Sequence, residues 1–145
     1  MNNNLSIKEN NIAILLCAGK SKRVNDFDKS IINLNNKPIF FHSIEKLLYS
    51  KKIKKIVIVA SKENNEFIKN YLSSLNLKNI EVILGSSERK YSVKNALDYI
   101  SKYNPQNVII HDSARPYFNK EIILNGLKFL DNYSCVIPVV KIVDT

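Results

Sequence analysis

Residues 12–23 read IAILLCAGKSKR, six apolar residues that run without a break into a small, glycine-bearing, basic segment. Six residues are too few for a buried helix, and their aliphatic character suits a strand covered on both faces of a parallel sheet. Similar short Ile- and Val-rich runs stand at 55–60, 80–84, 107–111 and 134–140. Helical spacing fills the intervals. At 38–49, Pro38 takes a first-turn position while Ile39, Phe40, Ile44, Leu47 and Leu48 recur at helical spacing. Segment 64–74 carries Phe67, Ile68, Tyr71 and Leu72; 91–102 places Val93, Ala96, Leu97 and Ile100 on one face; 120–130 does the same with Ile123, Leu124, Leu127 and Leu130. Alternating strand and helix predict right-handed βαβ crossovers and an α/β fold, a three-layer α/β/α sandwich around a mostly parallel sheet. Residues 1–10 are polar and Asn-rich and read as a loose tail, so the domain runs over 11–145. The last run, CVIPVV, is followed only by KIVDT with no helix to cover it, and the domain therefore reads as truncated on that side.

The 22 basic residues include only three arginines, Arg23, Arg89 and Arg115, each just beyond one of the strand-like runs. Ligands of open α/β sheets bind at strand carboxyl ends. Guanidinium is favoured over ammonium where phosphate or carboxylate is gripped in a planar, bidentate way. The three placements predict convergence on one anionic ligand.

At 145 residues, with 45% apolar and 24% charged content, the chain suits one globular domain. The net charge of +9 is compatible with nucleic acid, an anionic surface or small phosphorylated ligands. No basic helix or aromatic-interleaved basic stripe appears, which argues against nucleic acid. The start lacks signal-peptide architecture and no apolar stretch approaches 18 residues, so a cytoplasmic protein with no membrane partner is expected. Cys17 and Cys135 lie in separate apolar runs and read as buried free thiols.

Three polar segments carry the chemistry. After the first strand, Ala18, Gly19 and Ser21 allow close backbone approach to a phosphate chain, while Lys20, Lys22, Arg23 and then Lys29 neutralise it. Neither GxxxxGK[ST] nor GxGxxG is present, and a plain basic surface loop is the competing reading. After the third run, Gly85-Ser86-Ser87-Glu88-Arg89-Lys90-Tyr91-Ser92 enters a helix; its small polar residues suit a base or sugar, and Ser87 or Ser92 equally reads as a helix cap. After the fourth, His111-Asp112-Ser113-Ala114-Arg115-Pro116 sets a carboxylate at a strand tip. Asp112 can hold Mg²⁺ against phosphates, or pair with Arg115 to fix the turn, and the two are compatible. His111 reads as a packed residue.

The IHDSARP segment, the AGKSKR loop with Lys29, the GSSERKYSV segment and the late PVVKIVDT together resemble the 2-C-methyl-D-erythritol 4-phosphate cytidylyltransferase family, in order from Ile12 to Thr145. HDSARP is the most specific element. The resemblance implies a Rossmann-like nucleotidyltransferase domain that joins CTP to a polyol phosphate, releases diphosphate, uses Mg²⁺ and, in the complete family enzyme, forms a homodimer. It assigns Ala18, Gly19 and Ser21 to the triphosphate, Arg23 and Lys29 to charge stabilisation, Gly85, Ser86, Arg89 and Ser92 to cytosine and ribose, Asp112 to metal and to ribose or substrate, and Thr145 to the polyol phosphate. Departures are visible. The family's loop has a second Gly where Ser21 stands, Pro-Lys-Gln where this chain has Asp28-Lys29-Ser30, and Gly-Gly where it has Gly85-Ser86.

Such a transfer needs no protein nucleophile, and the substrate phosphate, anionic at pH 7, needs no general base. A ribitol 5-phosphate cytidylyltransferase would share these motifs, a nucleotide-binding module would bind CTP without turnover, and a nucleic-acid binder would show salt-sensitive affinity for any polyanion.

Overall fold

A computed structural model describes residues 10–19 and 28–141. In chain order the elements are strand β1 (Asn11–Leu16), a short hairpin of β2 (Asn33–Leu34) and β3 (Lys37–Pro38), helix α1 (Ile39–Tyr49), β4 (Ile53–Ala60), α2 (Asn65–Ser73), β5 (Ile80–Leu84), α3 (Arg89–Ile100) with a 3-10 turn after it, β6 (Asn107–Asp112) and α4 (Lys120–Phe129). The four long strands form one parallel sheet in the order β5-β4-β1-β6.

Period-two alternation along β1 decides which helix covers which face. Ala13 and Leu15, with Ile56, Ile58 and Ala60 of β4, pack against Phe40, Ile44 and Leu47 of α1, Ile68 and Leu72 of α2, and Ile123 of α4. Ile12, Ile14 and Leu16, with Val57 and Val59, meet Ala96 and Ile100 of α3 on the other side. This is the expected three-layer sandwich, and all six residues of β1 are buried. Each such aliphatic side chain contributes about 1.5–3 kcal/mol through removal from water.

Four of the five predicted strands and all four predicted helices form. The fifth run does not: residues 134–140 make no strand among the described residues, and Ile137, Val139 and Val140 are 75%, 86% and 89% exposed. Strand-like composition describes a side-chain surface that fits a sheet but supplies no ladder partner, and Pro138 removes a backbone donor. The same exposure corrects Cys135, which is exposed, whereas Cys17 is buried as expected. The β2–β3 hairpin has no counterpart in the sequence expectations. Asn35 and Asn36, both at positive φ (51° and 62°), make its two-residue turn, a conformation that asparagine tolerates.

At the far end of β5 from its carboxyl tip, Glu81 accepts from Lys55 of β4, from Tyr99 at 2.8 Å and from Tyr103 at 2.9 Å. Lys55 also lies 4.5 Å from the Tyr103 ring centroid. The Lys55 bond above all, with help from the two phenols and against the opposing effect of burial, draws the Glu81 carboxyl from 4.5 to about 2. Its stabilisation is therefore complete above the unfolded value near 4.5 and disappears as pH falls through about 2. Replacing Glu81 by Gln should lower stability by about 1–2 kcal/mol at pH 7, with the gap to wild type closing near pH 2, as read from denaturant melts across that range.

Gly85 marks where the carboxyl ends of three strands crowd together. A Cβ there would stand 2.7 Å from Ala18 Cβ, 2.8 Å from Ser92 Oγ and 2.9 Å from Val59 Cγ1. Gly85→Ala should cost about 1–3 kcal/mol in urea unfolding, since none of these neighbours is the loose end of a long side chain.

Candidate functional site

In the order β5-β4-β1-β6, the chain steps outward from β1 through β4 to β5, then returns across the sheet to β6 on the other side of β1. The strand order therefore reverses at β1, the topological switch point beyond whose strand ends open α/β sheets bind ligands. A cleft of about 360 Å³ occupies this position, lined by Ala18 and Gly19 after β1, Lys29, Ser87, Arg89 and Ser92, and Asp112 and Arg115 after β6.

Backbone bonds fasten the strand tips. Cys17 N donates to Val59 O, Gly85 N to Ala60 O and Ser113 N to Leu16 O, at 2.8, 2.8 and 3.0 Å. Cys17 and Ser113 are buried residues of the cleft's floor. Burial, partly offset by the Ser113 hydrogen bond, pushes the Cys17 thiol up to about 12, so it stays protonated and is no nucleophile at neutral pH.

The turn after β6 is held chiefly by its backbone. Arg115 N donates to Asp112 O at 3.1 Å, and His111 Nε2 lies 3.1 Å from Arg115 O. His111 also sits 4.4 Å, centroid to centroid, from the Phe118 ring, and burial lowers its pKa. It is a packing residue, as expected. Lys46 of α1 bonds Pro116 O at 2.7 Å, tying the segment to the helix layer.

The expected Asp112–Arg115 pair is present but loose, with Nε 3.8 Å from Oδ2. Arg89 is the nearer partner, its Nε and Nη2 standing 3.2 and 3.1 Å from Asp112 Oδ1. This cross-cleft pairing of the start of α3 with the tip of β6 was not foreseen. Arg89 and Arg115 are 63% and 80% exposed, so the pairs add little stability and leave both guanidinium groups reachable by a ligand.

Ala18, Gly19, Lys29, Arg89, Ser92 and Asp112 thus share one cleft. Gly85 and Ser86 lie behind it: Gly85 underlies the Ala18 contact, and Ser86 N donates to the buried Ser92 Oγ at 2.9 Å. Neither Ser87 nor Ser92 caps α3, whose N-cap is Glu88. Ser21, Arg23 and Thr145 fall outside the described residues, so the convergence of arginines holds for Arg89 and Arg115. Three groups escaped the sequence reading. Asp28 Oδ1 accepts from Ser30 N at 2.9 Å, an Asx turn that the Asp-x-Ser spacing foreshadows. Asn64, fully buried before α2, reaches both Asp28 and Cys17, and Ser113 bonds back to β1; neither carries a local signal.

Asp28 and Asp112 are the carboxylates lining the cleft among the described residues, and Asp28 is engaged from behind by Ser30 and Asn64. Asp112, 35% exposed, is left to meet a cation, which suits an ion that takes one or two carboxylates plus substrate oxygens. No group of three His, Cys, Asp or Glu that could form an all-protein metal cage occurs among the described residues, nor does any helix there have the length and apolarity to cross a membrane.

The family model for 2-C-methyl-D-erythritol 4-phosphate cytidylyltransferase (IspD) matches residues 11–145. A bifunctional enzyme IspD/IspF of Pelagibacter ubique is 42% identical over 140 residues, covering 94% of this chain and 36% of that protein. A 2-C-methyl-D-erythritol 4-phosphate cytidylyltransferase of Thermosipho melanesiensis is 37% identical over 138 residues, 93% of this chain and 60% of that one. The structure of the bifunctional IspDF from Campylobacter jejuni aligns with a TM-score of 0.77 and 30% identity, covering 93% of this chain and 34% of that chain. The chain thus spans between about a third and three-fifths of the length of these relatives. A family-model match over residues 11–145, together with the shared fold, places the chain in the 2-C-methyl-D-erythritol 4-phosphate cytidylyltransferase family.

Proposed function

We propose that the cleft binds CTP and that the chain provides the nucleotide half of an enzyme joining CMP to 2-C-methyl-D-erythritol 4-phosphate. The carrying observation is the meeting of Gly19, Lys29, Arg89, Ser92 and Asp112 around one cleft at the switch point of the sheet. A phosphate oxygen of the polyol phosphate attacks the α-phosphorus in line; a new P–O bond forms, the α–β bridging bond breaks, and diphosphate carries away the electron pair. Lys29 and Arg23 meet the charge on the α-phosphate and leaving group. Ala18, Gly19 and Ser21 let the triphosphate approach the backbone, Gly85, Ser86, Arg89 and Ser92 serve base and ribose, and Thr145 meets the polyol phosphate. Asp112 would hold Mg²⁺, which supplies positive charge to the phosphate oxygens. Positioning and electrostatics then carry the rate, and the protonated Cys17 and the packed His111 are not needed as nucleophile or base. A homodimer and a cytoplasmic location belong to the same reading.

Thermal melts with nucleotide and Mg²⁺ test the binding half. CTP should raise the midpoint more than ATP or GTP at equal concentration, and equal shifts would remove the cytidine assignment. For turnover, Lys29→Ala or Arg23→Ala should each lower diphosphate release from CTP and the polyol phosphate on the order of a hundredfold, by analogy with loss of one oxyanion donor. Unchanged release would take both residues out of the catalytic role.

A further inference from the structure

The polar side chain best connected to both ends of the phosphate loop is Asn64, which lies at neither end. It is fully buried beneath the cleft, at the N-cap of α2. Its Oδ1 accepts from Ser61 N at 2.8 Å, while its Nδ2 donates to Cys17 O at 2.9 Å and to an oxygen of Asp28. A backbone donor on one side and a backbone acceptor on the other fix which way the amide points. Nδ2 also lies 3.2 Å from Ser30 Oγ, and Asp28 Oδ1 receives both Ser30 N at 2.9 Å and Ser30 Oγ at 2.5 Å. One amide therefore joins the tip of β1, where the loop leaves, to both neighbours of Lys29, where it returns.

The site of attachment matters because Lys29 itself is exposed. A lysine carries roughly 2 kcal/mol of rotamer freedom, so only its backbone can be placed in advance. Asp28 and Ser30 do that placing, and Asn64 holds them. Downstream, Ser30 O accepts from Phe40 N at 2.9 Å, so the return end of the loop is pinned to the first turn of α1 as well. The carboxylate-to-amide contact is part-buried, which makes it worth more than a fully exposed pair, and removing Asp28 leaves the buried Asn64 amide short of a partner. This chain has Asp28 where the family's pattern has proline; here hydrogen bonds stand where a ring would stiffen the backbone.

We propose that Asn64 is a positioning residue, which with Asp28 and Ser30 forms a buried clasp that presents Lys29 to the phosphates of the bound nucleotide. The inference rests on the proposed role of Lys29 for its effect on binding, and on the geometry alone for the clasp.

Asn64→Leu, Asp28→Ala and the double variant, each also made on Lys29→Met, are compared with wild type by hydrogen exchange and by calorimetric titration with CTP and Mg²⁺. Asn64→Leu should speed exchange in residues 28–31 about tenfold or more while leaving 56–59 of β4 slow, and should weaken CTP about tenfold to a hundredfold. On Lys29→Met the same substitution should cost no further affinity, and the double variant should lose little beyond either single one. A residue that merely supported the fold would give the full loss in both backgrounds, and that result overturns the proposal. Unchanged exchange in 28–31 overturns it too, whether or not CTP binds. Failure of wild type to bind CTP refutes the proposed function instead, and the exchange comparison then decides the clasp. If Asn64→Leu fails to fold, Asp28→Ala, at a half-buried position, carries both comparisons.

Discussion

Burial of β1 on every side is the constraint from which the rest follows. Its side chains alternate between two helix layers, and its two edges are taken by β4 and β6 in parallel, the β4 register shifting by one residue between Asn11 and Ile12. A strand so enclosed can carry no charge and no ligand along its length. The chain can turn polar only past Leu16, and it must do so abruptly, which is why CAGKSKR follows IAILL without a spacer. The position of the cleft is thus a result of core packing. Because β6 lies on the side of β1 opposite to β4, the strand order reverses at β1, and the cleft lies beyond the strand ends at that reversal.

Two polar clusters, one near the start of β5 and one at the tip of β6, show how charge is used differently in one sheet. Glu81 is satisfied by a lysine and two phenols, and its low pKa measures how completely the folded chain stabilises its ionised form. Asp112 is held by two exposed guanidinium groups, with one contact as long as 3.8 Å and no backbone donor among the partners described. The first arrangement is a structural lock. The second is a set of charges whose partners can be exchanged, because a surface guanidinium gives up little when it turns from a carboxylate to a phosphate. Exposure therefore separates stabilising from ligand-ready ion pairs better than distance does.

What could be read from the sequence was whatever depends on local periodicity. Runs of Ile and Val at 55–60 and 107–111 have one physical use in a chain of this size, and the helices between them show their apolar stripes plainly. Residues 134–140 have a similar composition but form no strand and are largely exposed, because a strand also requires a neighbour, and pairing is not a local property. The hairpin failed in the opposite way: Asn33–Leu34 and Lys37–Pro38 are too short to show a pattern, and only the asparagine pair between them hinted at a turn. Within the cleft, residues beside a strand tip, such as Gly19, Lys29 and Asp112, were legible because the fold rule says where tips lead. Asn64 was not, since its partners are 36 and 47 positions away and an asparagine before a helix reads simply as a cap.

Many of the bonds that shape the cleft are made by buried, uncharged groups in its floor and behind it. Cys17 and Ser113 form part of the floor and Ser92 part of the wall, Gly85 sits where a single added carbon would collide with three neighbours, and Asn64 lies beneath the loop. These are small or neutral groups, and neutrality is what permits their burial: an amide or hydroxyl enclosed with its partners costs little, whereas a charge in the same place would need a full set of counter-charges. The cations can then remain at the solvent edge, hydrated and exchangeable, because rigidity is supplied from behind. In the neutral layer, a change of one methyl group at Gly85 or one amide at Asn64 is transmitted through contacts of 3 Å or less to the backbone that the charged residues stand on.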